Sequence, residues 1–453
     1  MWICLVACLI DLKLCADSYG RGKSMFRKIT GFVLIVSALV SSGGAAVADD
    51  FHYTNLLVGD RASGMGGAYT AVSDDATGLY YNPAGVAYTT GRNMSASVNA
   101  YYDNEKTYKS VIGGNGWTRH SSSLLPNYFG VVQPLGKFKV GFSYAVPDSI
   151  MEDQSQTFHN LPLNDPSGLN KNPDGSQATI TSYIINFNNE SNVYNLGPSV
   201  AMELSDNFSV GLTLYYYDKK TIQILNQIIK TSNGGSQLLN GYLHSEQWGF
   251  RPILGFMWSP ASNVSAGLTV SKVFVEGSSM TSQNSMLQNN IISSGVPSGN
   301  ITSLPDAPLS SSSSPKYPTQ IGVGVAWFPT QSLLFSGDIN YYTKVAEQNL
   351  EAVTNFAVGT EYYLDRNWAL RGGLYTNYAN SPTVKTGGVN QDEHIDLYGG
   401  TASISHFTRN TVVTLGGGMT YGTGKAQIVG DATAIQTADS RGWMLFLSSS
   451  YSY

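Results

Sequence analysis

A two-residue alternation constrains this chain more than any other feature, and it is clearest at the C-terminus. Apolar or aromatic side chains occupy most odd positions of 443–453, mostly small hydroxyl side chains lie between them, and the last residue is Tyr453. This period belongs to a β-strand with one apolar and one polar face. A terminal aromatic residue suits a strand that ends in the interfacial girdle of a transmembrane barrel.

The alternation recurs along the chain at regular spacing. Fourteen candidate strands start near residues 92, 126, 137, 191, 208, 244, 263, 315, 333, 352, 367, 394, 411 and 439. Tight turns alternate with long polar segments near 104–123, 148–190, 220–243, 277–314, 379–393 and 424–438, and with a shorter one at 345–351. Short periplasmic turns and long external loops are typical of outer-membrane barrels. Residues 92–453 are therefore predicted to form an all-β fold, a fourteen-stranded antiparallel transmembrane β-barrel.

Composition agrees with a membrane barrel and disfavours a nucleic-acid partner. Charged residues make up 13% of the 453 residues, against about 25% in soluble domains. A barrel needs few surface charges because its outer wall faces lipid. The formal net charge is −5, and the sequence has no basic patch that could neutralise phosphates.

The first 48 residues have the layout of a secretory signal peptide. After Met25, two basic residues precede the apolar run 31–40, and 46–48 forms a small-residue cleavage site. The run is shorter than the about 20 apolar residues of a transmembrane helix. We expect residues 1–24 to precede the true start. All three cysteines lie there, so the exported chain would hold no disulfide.

Residues 49–91 do not alternate and are predicted to form a compact hatch that plugs the barrel mouth. They contain many turn-forming residues, among them Gly64, Gly66 and Gly67. These glycines do not predict a phosphate-binding loop, because no strand–loop–helix unit follows and their spacing is wrong.

The run from Gly64 to Gly85 resembles the N-terminal hatch of the long-chain fatty-acid transporter (FadL) family, which includes TodX-type channels for toluene-like hydrocarbons. The matching motif comprises Gly64, Gly66, Gly67, Asp74, Asp75, Asn82, Pro83, Ala84 and Gly85. The resemblance covers the whole exported chain. It implies a barrel plugged by the hatch, with a hydrophobic substrate captured outside and released sideways through the wall. The motif is also similar to that of a secretion-associated barrel group that carries no fatty acid.

The sequence does not predict catalysis or metal binding. An acyl hydrolase would need a Ser–His pair with an orienting group. The histidines of the exported chain are scattered over hatch, loops and strand ends and lack metal-ligand spacing. They are His52, His120, His159, His244, His394 and His406. We predict no enzyme activity, no metal site and no cofactor.

Five charged residues lie within predicted strands, on the phase that faces the lumen. They are Glu203, Arg251, Asp338, Glu361 and Arg371. An Arg or Lys that faces lipid at mid-membrane would cost about 2–4 kcal/mol. One interpretation is a salt-bridge network that braces wall and hatch. The other is that Arg251 or Arg371 pairs with a substrate carboxylate, with Glu361 and Asp338 as further lumenal candidates.

Together these features predict a monomeric channel of the bacterial outer membrane for passive uptake of long-chain fatty acids or similar hydrophobic compounds. Expected partners are those small molecules, outer-membrane lipid and, through the aromatic C-terminal strand, the barrel-assembly machinery. Pro198 and Pro252 fall inside predicted strands, as tolerated bulges or as local gaps in the wall. Two alternatives remain: a general porin, and a secretion-associated or structural barrel.

Overall fold

The computed structural model describes residues 51–112, 114–163, 168, 170–289, 309–311, 314–388, 391–427 and 434–452. The predicted signal peptide, the first two residues of the predicted hatch and Tyr453 lie outside these ranges. Within them, no helix has the length and apolar character needed to cross a membrane.

The predicted fourteen-stranded antiparallel barrel is confirmed. Its strand segments are β1 (Asn93–Ile112), β2 (Asn115–Leu135), β3 (Phe138–Pro162), β4 (Thr179–Ser205), β5 (Phe208–Thr231), β6 (Ser236–Ala261), β7 (Val264–Lys272), β8 (Phe274–Asn289), β9 (Leu309–Ser311), β10 (Thr319–Thr330), β11 (Leu333–Tyr342), β12 (Val353–Tyr363), β13 (Trp368–Asn377), β14 (His394–Phe407), β15 (Thr411–Ala426) and β16 (Gln436–Ser452). The barrel closes where β1 pairs with β16. β8 continues β7 along the edge of β6, and β9 pairs only with β8, so the wall has fourteen strand positions.

The outer surface carries an apolar band between two levels of aromatic residues. On β6, Phe250 and Trp258 are 41% and 51% exposed because their neighbour is lipid. Eight residues separate them, about 26 Å at roughly 3.3 Å per residue. At the about 35–45° tilt of such strands this is about 20 Å of height, slightly less than the about 25 Å apolar band of outer-membrane barrels. Exposed aromatics of the upper level also include Tyr194, Tyr216, Trp248 and Phe274.

Strands β1–β6 and β8 continue far above this band, which corrects four of the predicted loops. β4 has 27 residues, whereas a transmembrane strand needs about 9–11. The segments predicted as loops at 104–123, 148–190, 220–243 and 277–314 are strand over most of their described residues. Above the membrane both faces of a strand can be polar, so hydrophobic alternation no longer marks it. For the same reason the predicted starts of β2, β4 and β6 are too late.

The projecting strands close over one side of the lumen. Buried apolar side chains from β1–β5 and β14–β16, including Tyr108, Trp117 and Ile395, form a core there. Two buried ion pairs lie beneath it, Lys106–Glu393 and Arg119–Glu152, each at 2.6 Å. The open part of the lumen is therefore displaced toward β6–β12.

The described part of the hatch, residues 51–91, fills the lumen below this core. It contains two short helices, α1 (Asp60–Gly64) and α2 (Gly78–Tyr81), and a 3₁₀ turn over Gly85–Tyr88. Its apolar side chains pack against inward-facing wall residues, with Met65 and Tyr69 in one cluster with Ala326 and Leu334. The hatch is thus part of the barrel's interior packing.

Candidate functional site

A buried carboxylate between two arginines ties the hatch to the wall. Glu361 of β12 is fully buried, with Arg61 of α1 at 2.5 Å and Arg371 of β13 at 2.7 Å. Arg371 also donates a hydrogen bond to the Ser405 hydroxyl. Arg61 was missed at the sequence level, although it is the only Lys or Arg between 51 and 91. We call Arg61, Glu361 and Arg371 the hatch clamp.

Asp338 of β11 holds a second point of the hatch. Its Oδ2 accepts hydrogen bonds from the backbone N–H groups of Tyr69 (2.9 Å) and Thr70 (2.8 Å), and the residue is 3% exposed. Glu203, the fifth charged residue predicted to face inward, lies exposed near the periplasmic end of β4. Asp338, Glu361 and Arg371 thus contact hatch or wall groups.

The Asn-Pro-Ala part of the motif seats the hatch on β5 and β6. The buried Asn82 side chain donates from Nδ2 to the carbonyls of Thr70 (2.8 Å) and Phe256 (3.1 Å), while its Oδ1 accepts from Ala84 N–H (3.1 Å). Pro83 packs where a Cβ at Gly211 of β5 would overlap its backbone. The wall can approach the hatch this closely only because that position is glycine.

The remaining motif residues have local roles. Asp74 accepts from Arg61 at 2.6 Å, and Asp75 accepts from the Thr77 N–H at 2.8 Å at the start of α2. Gly66 and Gly67 adopt φ values of 65° and 81°, a region that favours glycine. The Gly64 carbonyl accepts from Thr401 at 3.1 Å. Gly85 packs against the Ser73 carbonyl.

A cavity of about 560 Å³ lies above the hatch, on the open side of the lumen. Its size falls in the about 300–1,000 Å³ range of small-molecule sites. Hatch residues such as Tyr53 and Tyr80 line it from below, and Tyr217, Tyr317 and Tyr342 line its walls. A smaller pocket of about 90 Å³ lies next to it and shares Tyr53 and Tyr80 in its lining.

The cavity is predominantly basic. Its charged lining residues are four cations and two carboxylates: Lys219, Arg251, Lys272, Lys316, Asp148 and Asp392. Partial burial and the nearby Glu393 carboxylate raise the pKa of Asp392 above its usual value. The other carboxylate, Asp148, accepts from Asn55 of the hatch at 3.0 Å.

Arg251, unlike Arg371, faces this cavity. Its guanidinium lies 5.2 Å from the centre of the Tyr80 ring and contacts the Gln320 side chain at 3.3 Å. Within the described part of the chain, no carboxylate forms an ion pair with it. Lys219, Lys272 and Lys316 were not singled out from the sequence, because they lie where loops were expected or at strand ends.

The wall beside the cavity is interrupted between β2 and β3. Their ladder joins Ser121 to Glu152 and Tyr128 to Ala145, and none of the described residues between these pairs is matched across it. β3 also bulges against β4 between Ala145 and Asp148. We call this six-residue interruption the β2–β3 gap.

Proline explains the β2–β3 gap. Pro126 and Pro147 face it from the two strands, and neither has an N–H to donate to a ladder. The Pro147 carbonyl instead accepts from Leu56 N–H of the hatch at 3.0 Å. Pro147 lines the cavity, and Asn55 lines both the cavity and a small pocket at the gap bounded by Ser121 and Ser149. The hatch segment Asn55–Leu56 lies between the cavity and the gap.

The histidines do not assemble into a site. His52 contacts the carbonyl of Ile395 at 2.8 Å. Across the described ranges, no group of three or more His, Cys, Asp or Glu side chains is placed to hold a metal ion.

A hatch-plugged transmembrane β-barrel with a basic lumenal cavity is the class that these features define. The chain is 22% identical, over 366 residues, to the long-chain fatty acid transport protein of Escherichia coli O6:H1, a match that covers 71% of this chain and 76% of that protein. No family model matches the sequence.

Solved structures with this architecture align over almost their whole length. A Pseudomonas aeruginosa FadL homologue has a TM-score of 0.58 at 14% identity, covering 88% of this chain and 99% of that one. The toluene transporter TbuX of Ralstonia pickettii has a TM-score of 0.52 at 16% identity, with coverages of 88% and 99%. The resemblance seen in the hatch sequence is confirmed: the chain has the FadL-type fold and is an outer-membrane protein.

Proposed function

We propose that the protein is a passive outer-membrane channel for hydrophobic compounds with an anionic head group, of which long-chain fatty acids are the simplest. The observation that carries this proposal is the basic cavity, which lies above a sealed hatch and beside a break in the wall. An apolar solute that reaches the cavity can partition downhill into lipid, so transport requires no energy source.

Charge in the cavity favours an anionic amphiphile over a plain hydrocarbon. Four cations and two carboxylates line the cavity; Asp148 is already hydrogen-bonded to the hatch, and Lys316 is paired with Glu347 at 2.5 Å. Arg251 offers a planar fork for a carboxylate, and the Tyr80 ring packs against its other side. The tyrosines of the lining supply surface for the chain of the substrate. We propose that Arg251, and not Arg371, meets the carboxylate.

The hatch clamp has a separate role in this proposal. Arg371 is 6% exposed and committed to Glu361, and Asp338 is committed to the hatch backbone. These residues keep the periplasmic path closed, so the substrate leaves through the β2–β3 gap into the membrane. Displacement of Asn55 and Leu56 from Asp148 and Pro147 would join the cavity to that gap.

Uptake of labelled oleate by cells that lack their own fatty-acid channel tests this proposal. Arg251→Ala should lower the initial uptake rate at low oleate about 10- to 150-fold, the equivalent of the roughly 1.5–3 kcal/mol of a charge-assisted hydrogen bond. Arg251→Lys should retain part of it. Toluene uptake should be unchanged in both variants. Equal loss of oleate and toluene uptake would contradict the assigned role of Arg251.

A general porin is distinguished by conductance. Because the hatch fills the lumen, single channels of the wild-type protein in a planar bilayer should show no steady ion current. A stable open conductance of the size of a porin would rule out the plugged channel.

A further inference from the structure

A second break in the wall lies on the far side of the same cavity. The β6–β7 ladder ends at Ile253–Ser271, and the β6–β8 ladder begins at Phe250–Phe274. Beyond Lys272, β7 also loses its pairing with β10, which begins at Thr319. The segment 314–318 does not pair with the outer edge of β8 at 274–277, which lies opposite it by register. We call this opening, between β8 and the segment 314–318, the β8 window.

Prolines frame this window, as they frame the β2–β3 gap. Pro252 lies opposite the break in β6, and Pro315 and Pro318 precede β10. Each lacks the N–H that a continuous ladder would need. From the sequence alone, Pro252 was compatible with either a tolerated bulge or a local gap in the wall. Pro198 likewise pairs on one side, with Phe142 of β3, and interrupts the β4–β5 ladder for two residues on the other, but the next pairs on that ladder keep both strands together.

Tyr317 bends the far side of the window inward. Its hydroxyl donates to Gln247 of β6 at 2.8 Å and accepts from Tyr217 of β5 at 2.8 Å, on the strands beyond β8. The two tyrosine rings meet edge to face at 5.5 Å. A segment held by these bonds cannot extend straight upward along β8, so the contacts keep the two sides of the window apart.

The window lies at the upper boundary of the lipid-facing band, and Lys272 stands at its lower edge. Phe274 at its lower edge is 49% exposed, level with Phe250 on the neighbouring strand. The Lys272 ammonium lies 5.8 Å from the centre of the Phe274 ring. On the opposite side, Lys316 is paired with Glu347 at 2.5 Å, and Glu276 lies on the β8 edge. An aromatic ring beside the Lys272 ammonium at this depth suits the head-group region of an anionic amphiphile whose tail lies in the outer leaflet.

The cavity reaches both breaks, because its lining includes Pro147 and Asp148 on one side and Lys272, Val273 and Lys316 on the other. We propose that the β8 window is a lateral entry port, through which single-chain anionic amphiphiles dissolved in the outer leaflet move head-first into the cavity. This inference rests on the proposed function. It adds a membrane route to entry from the water above the loops.

A covalent bridge across the window tests this proposal. Val275 and Lys316 face one another across it by register, and the native cysteines lie only at positions 4, 8 and 15. The double variant Val275→Cys/Lys316→Cys is cross-linked with a short bis-maleimide. The bridged protein is then reconstituted in nanodiscs that contain a diazirine analogue of palmitic acid. Photolabelling of cavity peptides, such as the one containing Tyr217, is then measured. Each single-cysteine variant, treated with the same reagent, is the control.

The bridged protein should lose at least tenfold of the cavity labelling relative to the modified Lys316→Cys variant, which lacks the same lysine but has no bridge, while the modified Val275→Cys variant labels like the wild type. In cells that carry the bridged protein, oleate delivered from an albumin complex should still enter from the water above the loops. Undiminished cavity labelling in the bridged protein, with normal oleate uptake, would overturn the port and leave the channel function standing. Absence of both labelling and uptake in the wild type would overturn the channel itself.

Discussion

Glycines on the inner wall should decide whether the hatch stays seated, and a graded series of alanine substitutions tests this. A Cβ at Gly359 of β12 would lie 2.7 Å from the Met65 carbonyl oxygen and 2.8 Å from its Cβ. At Gly373 of β13 it would overlap the backbone of Met65 and Gly66. At the preceding residue, Gly372, the nearest atom to an added Cβ is 3.8 Å away. Gly372→Ala is therefore a matched control.

The size of the effect follows from these distances. Ordinary van der Waals contact begins near 3.4 Å, so Gly359→Ala requires a shift of about 0.7 Å in the hatch backbone. Overpacking of this kind costs about 1–3 kcal/mol, which would raise the population of an unseated hatch about 5- to 150-fold. Gly373→Ala should cost at least as much, because its Cβ would overlap the peptide bond between Met65 and Gly66.

Single-channel recording in planar bilayers measures that population as the fraction of time spent conducting. We expect the conducting fraction to increase in the order wild type, Gly359→Ala and Gly373→Ala, with Gly372→Ala indistinguishable from wild type. If all three variants conduct alike, contact between glycine and hatch does not control the plug, and the reasoning is refuted.

Three further predictions concern the clamp, the motif and the gap. Glu361→Gln leaves two buried guanidinium groups without a carboxylate and should lower the free energy of unfolding in urea by about 3–5 kcal/mol. Asn82→Ala leaves the Thr70 carbonyl without its buried donor and should cost about 1–3 kcal/mol in the same assay; an unchanged midpoint would contradict the seating role. Replacing both Pro126 and Pro147 with Val restores two N–H donors, so oleate uptake should fall at least tenfold while barrel stability is kept; uptake at the wild-type rate would speak against the gap as the exit.

Within the lipid band the sequence predicts the fold well, because one face of every strand must be apolar there. The predicted starts of β5, β7 and β11 agree with the structure to within one residue. Above the band that constraint disappears. The polar runs around 148–190 and 220–243 read as loops, but in the structure they are mostly strands that bury a second core through their inner face.

The candidate site was less predictable, because it depends on which strands become neighbours. The strand phase was enough to place Arg251 and Arg371 inward, but only the β12–β13 register brings Arg371 to Glu361. The β2–β3 gap depends on two prolines, Pro126 and Pro147, that are 21 positions apart in the chain and meet across a hairpin. The gap could have been predicted by checking which prolines lie opposite each other in the register of the β2–β3 hairpin.

Lateral release is the central claim, and it is tested most directly by closing and reopening the β2–β3 gap in one protein. Ser123 and Ile150 would face one another if the ladder continued, so cysteines at these positions can form a disulfide that a reductant removes. Initial oleate uptake is then measured in cells before and after reduction. Uptake should be lost in the oxidised protein and return at least tenfold on reduction, whereas equal uptake in the two states would contradict release through the wall.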